Sequence, residues 1–106
     1  MKTEILLNTQ FLESVLSGKK TATIRKGLRN YNLGPATIIS GETRVPIFIW
    51  GLRGRALSEL GPIEARDCGY STVQEMLSTL AEIYPGMEIE EMMTVVDFQV
   101  EEVPKP

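Results

Sequence analysis

The sequence predicts a small α+β domain: a mixed or antiparallel β-barrel of about five to six strands, capped by two to three helices. Several strand-like segments are short or interrupted by glycine and proline. Few segments carry helical periodicity. Strands and helices do not alternate regularly, which argues against a parallel doubly wound sheet. At 106 residues the chain has the size of one domain with one core. We assign residues 1–101 to that domain and 102–106 to a C-terminal tail, because "EEVPKP" has the composition of a frayed end.

Thr3–Leu7 reads as the first strand. Asn8 or Thr9 then caps a helix that sets Phe11, Leu12, Val15 and Leu16 on one face. Gly18 ends that helix with a left-handed residue. Thr21–Arg25 reads as a strand whose Ala22 and Ile24 face the core. Thr21, Thr23 and Arg25 then share the other face, toward a cleft or solvent. Residues 26–35, rich in Gly, Asn and Pro, form a loop. Ala36–Ser40 and Val45–Leu57 read as strands joined by a turn at Gly41–Thr43. Pro46, Gly51 and Gly54 interrupt the second of these, so it should bend or bulge. Phe48 and Trp50 are assigned to the core.

Pro62 suits the first turn of a short helix that Gly69 ends. Ser71 and Gln74 form a capping box for a helix with Val73, Met76, Leu77, Leu80 and Tyr84 on its apolar face. Pro85-Gly86 terminates it. Met93–Val100 is the last strand, with Val96, Phe98 and Val100 alternating. Met92 and Met93 are read as filling gaps in the core, and Glu88–Glu91 as a solvated turn.

Composition narrows the function. An apolar fraction of 42% is that of a folded chain, not a disordered one. Apolar runs such as Ile47–Trp50 fall far short of the roughly 20 residues that span a bilayer. A lone Lys2 before the brief run Ile5–Leu7 is no signal peptide, so a cytoplasmic protein without membrane association is expected. There is no histidine and one cysteine, Cys68. A disulfide within the chain is excluded, a zinc site nearly so, and neither a metal nor a cofactor is expected. Histidine triads and the usual neutral-pH proton shuttle are excluded as well. Catalysis, if present, falls to Lys, Thr, Ser, Tyr, Cys or carboxylates.

Net charge is −3, unevenly spread. Residues 1–58 hold nine basic and three acidic residues, and residues 59–106 hold two basic and eleven acidic. Between Ser14 and Gly41 stand Lys19, Lys20, Arg25, Lys26 and Arg29 with no acid. One reading is a solubilising surface whose halves attract each other. The sharper reading is a local anion site on a surface that repels long polyanions.

The stretch "GKKTATIR" at 18–25 carries a spacing, Gly18-x-Lys20-x-x-x-x-Arg25, that resembles the signature of ASCH domains. These are small β-barrels related to the PUA domains of RNA-modifying proteins. "CGYSTVQEML" at 68–77, "EIYPG" at 82–86 and "MTVVDFQV" at 93–100 resemble the helix start, helix end and closing strand of that family. The resemblance spans about Phe11 to Val100. It implies a cleft for RNA or a modified nucleoside, with Lys19, Thr21, Arg25, Lys26, Asp67 and Tyr84 as ligand-binding residues. "GKKTATIR" and "AEIYPG" are similar to the bacterial N4-acetylcytidine amidohydrolase branch, which implies Lys20 and Thr23 as catalytic residues. The chemistry is coherent. A threonine hydroxyl attacks an amide carbonyl only when a base takes its proton, and lysine is a base only when burial or nearby cations lower its pKa. Arg25 would hold an oxyanion or a phosphate. Lys20 and Thr23 are an odd number apart, so they converge only if Lys20 lies in the loop before the strand.

The chain departs from the pattern at two places. Cys68-Gly69-Tyr70 stands where many members carry Glu-Gly-aromatic, leaving Asp67 and Glu64 as neighbouring carboxylates. Gly34 is followed by Pro35 where the family has Gly-Asp. Three readings stay open: a module binding RNA or a cytidine derivative, an amidohydrolase acting on N4-acetylcytidine, and a protein-interaction domain using its acidic half. Taken without the resemblance, Lys20 and Arg25 make a solvated strand start, Thr23 reflects strand propensity, and Cys68 is a small apolar packer. Tyr31 or Trp50 could stack on a base, and Arg53-Gly54-Arg55 hints at RNA contact.

Overall fold

Strands with inward-facing apolar residues build one curled, mixed sheet, a half-barrel, with three helices packed against it. The computed structural model describes residues 3–101. The strands are β1 (Thr3–Leu6), β2 (Ala22–Lys26), β3 (Gly34–Ser40), β4 (Thr43–Ala56) and β5 (Met92–Val100). The helices are α1 (Leu12–Leu16), α2 (Pro62–Asp67) and α3 (Val73–Ile83), with 3-10 turns at Thr9–Phe11 and Leu57–Glu59. Spatial order is β1-β3-β4-β5-β2. β1 runs parallel to β3, and every other pairing is antiparallel. β1 and β2 are therefore the two ends of the sheet, and the Arg25 guanidinium joins them by donating to the Leu6 carbonyl. The tail expected at 102–106 lies outside the described residues.

Two apolar clusters lie on the two faces of the sheet. The inner cluster holds Ile5, Leu7, Ile38, Ile47, Ile49, Val96 and Phe98, with Val15 of α1. The second fills the space under α2 and α3: Ala22, Ile24, Ala65, Cys68, Met76, Leu80, Met93 and Val95. β5 serves both, so Met93–Phe98 are all buried rather than alternately so. Two-sided burial erases the period-two signal that a half-exposed strand shows.

Local chemistry accounts for the element ends. Asn8 caps the first turn, its Oδ1 accepting from the Gln10 N–H at 3.0 Å. The left-handed residue expected after α1 is present as Gly18, φ +81°. β4 carries the expected irregularity as a bulge between Ile49 and Gly51. Its Pro46 accepts from the Glu101 N–H through its carbonyl, so its missing N–H faces the end of the β4–β5 ladder rather than β3.

Several expectations are corrected. Phe48 and Trp50 are not core residues: they are 39% and 58% exposed, because β4 turns Val45, Ile47 and Ile49 inward and its alternate residues outward. The cap of α3 is Thr72, not Ser71; its Oγ1 accepts from the Glu75 N–H at 3.0 Å. Tyr84 is the C-terminal cap of α3 rather than a residue of its last turn, and it packs with Val73 against the apolar cluster beneath that helix. Met92, Leu16 and Leu77 are exposed, while Met93 is fully buried as expected. Among the described residues no helix is long and apolar enough to cross a membrane.

Candidate functional site

The site forms where the sheet fails to close. Lys20 precedes β2 in the loop after α1, so the odd spacing to Thr23 is no obstacle to convergence. Its backbone is held from two sides. The Lys20 N–H donates to the Ser14 carbonyl at 2.9 Å, and the Thr21 N–H donates to the Asp67 carbonyl at 2.7 Å. Asp67 and Cys68 supply the last carbonyls of α2, acceptors with no partner inside the helix. The Lys20 ammonium takes the other, donating to the Cys68 carbonyl at 3.3 Å. A cation at a helix C-terminus also suits the local dipole. Gly69 ends α2 at φ +86°, and a Cβ there would stand 3.5 Å from the Lys20 Cβ.

Lys20 is 3% exposed, a rare state for a lysine. Its ammonium lies 5.2 Å from the Phe11 ring centre and 6.0 Å from that of Tyr70, and the two rings meet edge to face. Burial pushes its pKa below the ordinary lysine value; Cys68 opposes this and Arg25 adds to it. Burial likewise pushes the Cys68 thiol up to about 11 and the Tyr70 phenol up to about 12, so both stay protonated at neutral pH. A protonated, buried thiol is a poor nucleophile.

A pocket of about 150 Å³ opens beside Lys20. Four of the sequence-assigned residues line it: Lys20, Thr23, Arg25 and Tyr84. Thr23 is 5% exposed, and the Lys20 ammonium is hydrogen-bonded to the Cys68 carbonyl rather than to the Thr23 hydroxyl. The Arg25 Nε is buried and has no hydrogen-bond partner among the described residues. Sequence reasoning missed Phe11 and Tyr70 as walls, and also Leu80 and Ile83. Phe11 reads as a helix-face residue, and no local signal separates a core aromatic from a pocket wall.

The other assigned residues stand elsewhere. Lys19 and Thr21 are exposed beside the pocket. Lys26 pairs with Glu91 at 3.3 Å on the surface. The Asp67 carboxylate turns to Arg66 Nε at 3.4 Å. Glu64 is engaged twice: Oε1 accepts from the Gly61 N–H at 2.7 Å, and Oε2 pairs with Arg53 at 3.3 Å. Arg53 also makes a two-point pair with buried Asp97, both bonds 2.9 Å. Among the described residues no carboxylate lines the pocket, and Asp67 and Glu64 both turn to arginines outside it.

No family model matches the sequence, and no curated protein matches it either. Solved structures do. An ASCH domain from Lactobacillus crispatus superimposes with a TM-score of 0.77 at 9% identity, over 92% of this chain and 79% of that one. The fold is that of the ASCH domains. The ASCH protein of Zymomonas mobilis gives a TM-score of 0.67 at 17% identity, over 92% of this chain and 68% of that one. The hypothetical protein PH0355 gives 0.76 at 18%, over 95% of this chain and all of that one. At such identities the likeness is one of fold. Within this ASCH fold, the open seam between β1 and β2 is where the lysine–arginine pocket sits.

Proposed function

We propose that the chain is a recognition module for RNA or a modified nucleoside, a cytidine derivative being the first candidate, with the ligand held in the Lys20–Arg25 pocket. One observation carries the reading. Two cations converge with three aromatic rings, Phe11, Tyr70 and Tyr84, in a pocket that no carboxylate of the described residues lines, on a protein whose net charge is negative. Aromatic walls suit a base face, and cationic groups suit a phosphate or a base carbonyl. The size narrows the ligand further. A pocket of about 150 Å³ lies below the ~300–1,000 Å³ typical of sites that engulf a ligand, so it takes one nucleotide unit or part of one. The acidic half discourages long polyanions from settling elsewhere.

A second reading is hydrolysis of N4-acetylcytidine, with Thr23 as nucleophile and Lys20 as base. The lowered Lys20 pKa and the shared pocket support it; the lack of a carboxylate in the pocket counts against it. One experiment separates them. Purified protein is incubated with N4-acetylcytidine while cytidine is followed by chromatography, and binding is followed by intrinsic fluorescence. The binding reading predicts saturable binding, at least tenfold weaker in Arg25→Ala, and no cytidine. Cytidine release that disappears in both Lys20→Ala and Thr23→Ala would establish the hydrolase instead. Neither binding nor release would dismiss both readings.

A further inference from the structure

We infer that Lys20 and Arg25 form a subsite for one anionic group, a phosphate or a carboxylate, carried at the buried end of the ligand. The inference rests on the proposed pocket as the ligand site and goes further by naming the group that enters it.

The charge inventory is one-sided. Lys20 and Arg25 are the charged side chains lining the pocket, and both are cations. Their donors exceed the acceptors supplied. An ammonium has three N–H bonds, and among the described residues Lys20 has one acceptor, the Cys68 carbonyl at the long end of hydrogen-bond range. A guanidinium has five; Arg25 donates to the Leu6 carbonyl while its buried Nε has no acceptor among the described residues. The nearby acids are committed elsewhere. Asp97 and Glu64 belong to Arg53, and Asp67 turns to Arg66. A buried cation without a counterion is costly, and a helix terminus and two ring faces compensate it in part. An entering anion completes the set. A neutral carbonyl would satisfy a donor but leave both charges uncompensated.

The arrangement also ties binding to a proton. Among the described residues, the titratable groups that line the pocket with Lys20 are Arg25 from β2, Cys68 and Tyr70 from the α2–α3 junction, and Tyr84 past α3; the turn before α1 contributes Phe11 and Asn8, which carry no charge, and Glu101 just past β5 lines a separate groove on the other side of Lys20. Cys68 and Tyr70 keep their protons well above neutrality. Burial disfavours the charged amine, and an anion beside it favours it. Anion binding therefore takes up a proton and weakens as pH rises through the lowered Lys20 value.

The test is calorimetric titration with cytidine, cytidine 5′-monophosphate, 5-carboxycytidine and ribose 5-phosphate at one salt concentration. The phosphate and carboxylate arms separate the two sources of the anion. At least one of the two charged nucleosides is expected to bind tenfold or more tighter than cytidine. That preference should vanish in Arg25→Gln and return in Arg25→Lys, with folding followed by circular dichroism. It should also narrow from about pH 7 to about pH 10, while cytidine binding stays level. Equal binding of cytidine and both charged nucleosides overturns the anion subsite and leaves the nucleoside reading standing. Equal binding of ribose 5-phosphate and the nucleotide, with none by cytidine, keeps the subsite and overturns the nucleoside reading. No binding of any probe overturns both.

Discussion

Lys20 draws its character from what the fold places around it: one carbonyl, two ring faces and a neighbouring guanidinium. The motif in the sequence names Lys20, Thr23 and Arg25, and the structure brings those three to one pocket with Tyr84. The motif does not tell which hydrophilic neighbours face inward. Lys26 follows Arg25 by one step along β2, which reverses a side chain's direction, whereas Lys19 and Lys20 lie in the loop before the strand, where no simple period tells them apart. Cys68 offers a residue-level prediction. Its thiol is pushed up from 9.0 to about 11, so the folded chain keeps a proton that the unfolded chain releases. The resulting stability is complete below about pH 9 and is lost as pH rises toward 11. Lys20 runs oppositely: its lowered pKa makes stability grow with pH up to the unfolded value of 10.5. Comparing the native chain with Cys68→Ala isolates the thiol. The native chain's advantage should shrink by on the order of 2 kcal/mol across that interval in urea unfolding. A difference independent of pH would show that the thiol titrates as in water.

At the scale of elements, most strands and helices were legible because each carries a local cause: a capping side chain, a left-handed glycine, an alternating run. The errors fall where two local readings compete. Ser71-x-x-Gln74 and Thr72-x-x-Glu75 are both helix-start patterns, one residue apart, and in the structure the second one caps α3. Removing that cap with Thr72→Ala should cost about 1 kcal/mol in thermal or denaturant unfolding. Ser71→Ala should cost almost nothing; the reverse order of effects would return the cap to Ser71. Phe48 and Trp50 were misplaced because a run of four apolar residues, Ile47–Trp50, reads as wholly buried. In the sheet its alternate members, Phe48 and Trp50, point outward.

At the scale of the molecule, the opposed charges of the two halves meet at a few places, and Arg53 is the most consequential. It comes from the basic half on β4 and pairs with Asp97 on β5 and Glu64 on α2, both from the acidic half. In the sequence Arg53-Gly54-Arg55 reads as a surface contact; in the structure Arg53 ties the sheet to the helix that holds Lys20. Gly51 belongs to this arrangement, since a Cβ there would lie 3.0 Å from the Asp97 Oδ2. Arg53→Met should leave Asp97, 3% exposed, without its partner. A fully buried broken pair costs roughly 3–5 kcal/mol; with the Arg53 side chain 27% exposed, about 2 kcal/mol is expected. Adding Asp97→Asn should recover part of that loss in denaturant unfolding, and an unchanged or larger loss would contradict the pairing account. The sequence by itself determined the α+β class, the order of elements and the lysine–threonine–arginine spacing, because propensity, capping and periodicity act over a few residues. Only the tertiary structure decided that β5 is buried on both faces, that Glu64 and Asp67 turn away from the pocket, and that the sheet ends meet at Arg25. Those outcomes depend on contacts between residues far apart in the chain, and local sequence carries no record of which distant partner a side chain meets.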